Sequence, residues 1–166
     1  MKNLAILVVI MAAFHMNAAA CSCGRTAPYG ASLGETIAAE YGAHDAIFVG
    51  EIVSVEHRIK RGFGLVEVTF RVARPIKNIR EEDLVKVYTD DQGSACGLEE
   101  WLKGRKGEQW LIYSHIVVPD QIRGSYLKNF LPKTREHIYM ASSCSRTAPV
   151  EIAAADIRYY NSLKRR

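Results

Sequence analysis

Four cysteines carry most of the chemistry on offer: Cys21 and Cys23 lie two apart, while Cys96 and Cys144 stand singly far downstream. An even number of thiols makes a disulfide framework in an oxidising compartment and a metal or redox site in a reducing one. Zinc would need a second closely spaced pair, and His44, His57, His115 and His137 show no ligand-like spacing that could replace it. Zinc, and copper held by Cys21 and Cys23, are therefore the lesser readings. Two disulfides are expected, with three connectivities open. Cys21 and Cys23 would close a strained small ring on each other, so each is expected to reach a distant partner. That would tie down a terminus that otherwise frays.

The other reactive side chains do not assemble into an enzyme pattern. Ser32, Ser94 and Ser114 lack a Gly-x-Ser-x-Gly elbow, and there is no His-Glu-x-x-His pair. The acids Glu81 and Glu82 sit beside Asp83 in a turn, where charge is solvated. Asp90 and Asp91, close to Cys96, read as a loop before they read as a partner or ion contact. Trp101 and Trp110 read as core or lining residues rather than stacking platforms. The formal net charge is +4 and the basic residues are dispersed, apart from Lys164-Arg165-Arg166 and His57-Arg58-Ile59-Lys60-Arg61. A solvated loop and a frayed end account for both runs better than a nucleic-acid or membrane surface does. No enzyme and no cofactor of its own are expected.

The compartment follows from the N-terminus, where Lys2 precedes the apolar run from Leu4 to Phe14 and Ala18-Ala19-Ala20 precedes Cys21. That is the pattern of a secretory signal peptide over residues 1–20. Its apolar core is too short to span a bilayer, which takes about 20 such residues, and no later segment is longer. Removing 20 of the 166 residues leaves 146, one domain's worth over 21–166, with formal charge about +3 because Lys2 is the one charged residue lost. A secreted protein, extracellular or periplasmic and monomeric, is expected. Ala18-Ala19-Ala20-Cys21 is a poor lipidation box without the usual Leu, and lipidation would leave three cysteines, an odd number. An anchored lipoprotein is thus the third choice.

The elements that must position the cysteines are mostly strands. Ser32-Leu33-Gly34-Glu35 is a capping box that opens a short helix to about Tyr41, with Gly42 available to stop it. Residues 46–55 and 65–72, rich in β-branched and aromatic types, read as a hairpin about the turn Gly62 to Gly64. In the second arm Val66, Val68, Phe70 and Val72 share one face, and Glu67, Thr69 and Arg71 the other. Further strands are expected at Leu84 to Thr89, Gln109 to Ile116 and Ile138 to Ala141. Pro149 is expected to introduce a helix from Val150 to about Leu163, with Ile152, Ile157 and Tyr160 facing the sheet. Residues 117–136 read as a long loop or irregular hairpin. Five strands in this length favour a closed or partly closed barrel, so the fold class is mainly β with one short helix near each end.

With these residues in place, the chain resembles the N-terminal inhibitory domain of the tissue inhibitors of metalloproteinases, of the netrin-like group with its OB-type barrel. The likeness rests on the leader ending at Cys21-Ser22-Cys23, the strand Asp45-Ala46-Ile47-Phe48-Val49-Gly50, and Ser94-Ala95-Cys96-Gly97 after a third strand. It covers most of residues 21–145. It implies a five-stranded OB-like barrel and the pairings Cys21–Cys96 and Cys23–Cys144. The chain departs from the family pattern in lacking a third cysteine pair and a cysteine-rich C-terminal subdomain, and in inserting residues 24–42.

The mechanism that the resemblance implies is chelation by a backbone. An α-amino group with a pKa of roughly 7.7–8.0 can turn neutral and, with the Cys21 carbonyl oxygen, chelate the open zinc position of a partner protease. The water that zinc would activate is displaced. Ser22 would enter the pocket beside the metal, and Cys21–Cys96 would hold the N-terminus against Ser94 and Ala95 as one rigid wedge, lowering the entropic cost of binding. The metal belongs to the zinc metalloprotease, the expected protein partner. The competing expectation is a non-inhibitory netrin-like binding module, in which Cys21 and Cys23 only anchor the terminus.

Overall fold

The computed structural model describes residues 23, 25–60, 63–90, 98, 101, 103–118, 131–132 and 137–163. The first helix, α1 (Leu33–Ala43), forms where the capping box sits. Ser32 N–H donates to Glu35 Oε2 at 2.7 Å and Glu35 N–H donates to Ser32 Oγ at 3.3 Å, so the first-turn donors are satisfied reciprocally. The Ser32 contacts hold the Glu35 carboxyl below its usual pKa. Gly42 does not end the helix. His44 does, its N–H donating to the Glu40 carbonyl oxygen at 3.2 Å.

The hairpin is longer than its apolar runs, because paired backbone continues into the polar residues toward the turn. Strand β1 (Ala46–Lys60) and β2 (Phe63–Lys77) run antiparallel, pairing Gly50 with Val72 and Val55 with Val68, with register shifts near Phe48, Gly50 and Ile52. A side chain at Gly50 would force its neighbours to move: a Cβ there would meet Phe48 Cε2 at 2.9 Å and Phe70 Cβ at 3.0 Å.

Three more strands close the arrangement. Strand β3 (Leu84–Asp90) pairs antiparallel with β2, and β4 (Gln109–Val117) antiparallel with β1, Gly50 opposite Trp110. Strand β5 (Ile138–Met140) lies between them, antiparallel to β4 and parallel to β3, with Val87 opposite Tyr139. The pairings β1-β2-β3-β5-β4-β1 make a ring of five strands, and the short β6 (Ala148–Pro149) adds to β4. The protein is mainly β, with two helices.

The paired stretches Ala46–Val49 of β1 and Trp110–Tyr113 of β4 are unbroken apolar runs because both of their faces are covered. Phe48, Ile52, Trp110 and Ile112 join Val66, Val68, Phe70, Val72, Val87 and Trp101 in one cluster, and both tryptophans are core residues. Ile47, Val49, Leu111 and Tyr113 face the other way, onto Ile37 of α1 and onto Ala153 and Tyr160. A third cluster, Leu65, Tyr88, Leu131 and Ile138, covers part of the outer face of β2 and β3.

The second helix is shorter than its sequence suggests. Pro149 belongs to β6 and 150–153 form a turn in which Ile152 and Ala153 N–H both donate to the Pro149 carbonyl oxygen, so α2 is Ala154–Leu163. The turn aims Ala153 inward and leaves Ile152 76% exposed, so Ile152 does not share the packed face of Ile157 and Tyr160. Glu81 and Glu82 are exposed in the turn before β3. No helix among the described residues is long and apolar enough to cross a membrane.

Candidate functional site

Because β3 and β5 are parallel, both leave the ring at the same end. Ala141 N–H donates to the Tyr88 carbonyl oxygen at 2.9 Å, so the pairing continues past β5 toward Cys144. On the neighbouring strand, Leu98 N–H donates to Thr89 Oγ1 at 3.1 Å, which returns the chain to that end after residues 91–97. Cys23 is bonded to Cys144, with Cα atoms 5.1 Å apart across 121 residues of sequence. The chain leading to Cys144, and the two flanks of segment 91–97, therefore lie at the same end of the ring.

Of the residues singled out in the sequence, the structure places Cys23 and its partner Cys144. Cys21, Ser22, Ser94, Ala95 and Cys96 lie outside the described residues, as does the expected bridge Cys21–Cys96. Asp90 is the last residue of β3.

The surroundings of the disulfide are ionic and were not anticipated. A groove beside it is lined by Cys23, Cys144, Thr26, Glu40 and Arg146. Thr26 Oγ1 donates to Glu40 Oε1, which pins the segment after Cys23 onto α1. Arg146 makes a two-pronged pair with the buried Asp156 of α2, Nε to Oδ2 at 2.7 Å and Nη2 to Oδ1 at 2.6 Å. Asp156 Oδ2 also accepts from the Tyr113 hydroxyl at 2.8 Å, and that hydroxyl lies 2.9 Å from the Tyr160 hydroxyl. The bonds to Asp156 push the Arg146 pKa up, and burial pushes Tyr113 up strongly and Tyr160 to about 12. All three groups keep one charge state across the neutral range, so the network is a fixed clamp between α2, β4 and the chain just after Cys144.

Two further polar groups were missed. Glu67 is buried on β2, where Arg58 and Lys86 converge on its carboxylate. His44 is buried and stacks on His115, although nothing in their spacing suggests a pair. The one available signal was the length of 117–136, enough to cover a strand face. Among the described residues no group of three or more His, Cys, Asp or Glu is placed to hold a metal ion.

No family model matches the chain, and no curated protein matches it.

Proposed function

We propose that the chain is an exported inhibitor of zinc metalloendopeptidases, built as an OB-type barrel of the netrin-like, tissue-inhibitor kind. One observation carries the reading: the parallel β3–β5 pair and the Cys23–Cys144 bridge bring the anchor of the N-terminal segment to the same end of the ring as the flanks of segment 91–97. The inhibitory wedge needs that juxtaposition. Cys21 is two residues from Cys23, at most about 7 Å of chain, and Cys96 is two residues from Leu98. A bridge between them would then fix Ser22, Ser94 and Ala95 beside the Cys21 amine and carbonyl, the two groups offered to the partner's zinc. The five-strand ring is also the strand arrangement that a closed OB-type barrel requires.

Inserting one Ala before Cys21 of the mature chain tests the proposal. The insertion turns the chelating amine into a peptide nitrogen, a poor metal ligand, and leaves both bridges in place. Inhibition constants against a panel of zinc endopeptidases, with melting curves alongside, should show inhibition largely lost at unchanged stability. Ser22→Gly should shift preference among proteases modestly. An extended variant as potent as the wild type would refute the wedge, and a correctly processed wild type that inhibits no member of the panel would favour the binding module.

A further inference from the structure

Two imidazoles meet face to face where α1 hands the chain to β1. The rings of His44 and His115 stack with centroids 4.4 Å apart and 26° between their planes. His44 is 5% exposed and His115 is half exposed. Three bonds run through His44. Its N–H and its ring Nδ1 both reach the Glu40 carbonyl oxygen, at 3.2 Å and 2.9 Å, and its own carbonyl accepts from Lys77 Nζ at 2.5 Å. A carbonyl oxygen only accepts, so the ring contact needs the proton on Nδ1.

Charged groups surround the pair from every side. From α1 comes Glu40, whose buried Oε2 lies 3.3 Å from His44 Nδ1 and has no hydrogen-bond partner among the described residues. Asp45, just before β1, lies 3.7 Å from His115 Nδ1 and accepts the Ile116 N–H at 2.8 Å. From β2 comes Lys77. From β4, besides His115, comes Tyr113, whose ring meets His44 edge-on at 5.3 Å, with the Asp156–Arg146 pair behind it. Burial is the largest influence on His44 and lowers its pKa. The Glu40 carbonyl works against that, His115 adds to the lowering, and the Glu40 and Asp45 charges oppose it.

We propose that His44, stacked on His115, is an acid-operated latch, which holds the C-terminal end of α1 against the strand ring while neutral and releases α1 with the segment 25–32 when protonated. The Cys23–Cys144 bond keeps the released segment tethered, so the movement is local. His44 binds its proton more weakly in the latched state than in the released one, so acid favours release. Latching is complete above the unperturbed histidine value of about 6.5 and is lost as pH falls through and below it. Each proton taken up on release multiplies the released population by up to about tenfold per pH unit. The latch stands apart from the inhibitor reading.

Hydrogen exchange of the mature, disulfide-intact chain from pH 8 to 5, corrected for intrinsic rates, tests it. Opening of the α1 amides should rise by up to about tenfold per pH unit below about 6.5 while the β2 amides keep their protection. His44→Asn, whose side-chain amide replaces the Nδ1 donor without titrating, should flatten that slope. An unchanged slope in His44→Asn, a pH-independent wild type, or joint loosening of α1 and β2 would each overturn the latch. Should His44→Asn leave α1 open even at pH 8, the wild-type His44 imidazole signals decide by NMR: titration in step with α1 opening upholds the latch, and titration out of step overturns it.

Discussion

Removing the partners of Glu67 should cost more stability than removing Glu67 itself. The Glu67 side chain is fully buried, while Arg58 and Lys86 are 38% and 56% exposed. Arg58 Nη2 donates to Oε2 and Lys86 Nζ donates to Oε1 at 2.5 Å. Replacing both cations with Met strands the carboxylate, which costs about 3–5 kcal/mol at pH 7. In Glu67→Leu the two cations can turn to water. The Tyr88 hydroxyl, pushed up to about 12 by burial and by Glu67, then loses a partner, for about 1–2 kcal/mol. Urea midpoints give both values. The pH dependence supplies a second arm. Burial raises the Glu67 pKa, but Lys86, Arg58 and Tyr88 together outweigh it and hold it below its usual value. In the wild type its contribution is complete above about 4.3 and is lost as pH falls through the lowered value. In the Arg58→Met, Lys86→Met variant only the Tyr88 hydroxyl is left to oppose burial, so the deficit should shrink on acidification from pH 7 to 4. A Glu67→Leu loss equal to or larger than that of the double variant, or a pH-independent deficit, would refute the account.

Two more outcomes are expected. Replacing Cys23 and Cys144 together by Ala should lower stability by about 5 kcal/mol in the chain-entropy account of a crosslink spanning 121 residues, read by urea unfolding. A loss under about 1 kcal/mol would place the anchoring of the N-terminal segment in its noncovalent contacts instead. Gly50→Ala should cost about 1–3 kcal/mol through its approach to Phe48 and Phe70, and a melting temperature equal to the wild type's would show that the strand yields there.

Local physics made some elements plain before the fold was known. The Ser32–Glu35 box, the alternation of Val66, Val68, Phe70 and Val72, and the burial of both tryptophans depend on near neighbours or on bulk alone. What alternation could not reveal is a second cover. Glu67 shares its face with Thr69 and Arg71, yet Leu131 and Ile138 close over that side of the sheet. Pro149 looks like a helix opener because a proline fits a first turn. Its backbone pairs with Trp110 instead, and no residue near it announces that contact. His44 and His115 meet only because Asp45 N–H donates to the Ser114 carbonyl oxygen and so lays β1 along β4. In the candidate site, the cysteines were evident from their number and spacing, whereas the Glu40 and Arg146 surroundings arise from tertiary placement.

The ring topology also predicts an order of assembly. β1, β2 and β3 are joined by short connections and can pair as soon as the chain emerges, but β1 then waits for β4, and β3 for β5. Contacts between distant segments form late because the intervening loop must first give up its entropy. Until Tyr139 reaches Val87, the half-built sheet exposes an unsatisfied hydrogen-bonding edge on each side, a template for other chains. Cys144 follows β5, so its bridge to Cys23 is expected to form at the end of the same sequence, sealing a sheet whose edges have by then found each other.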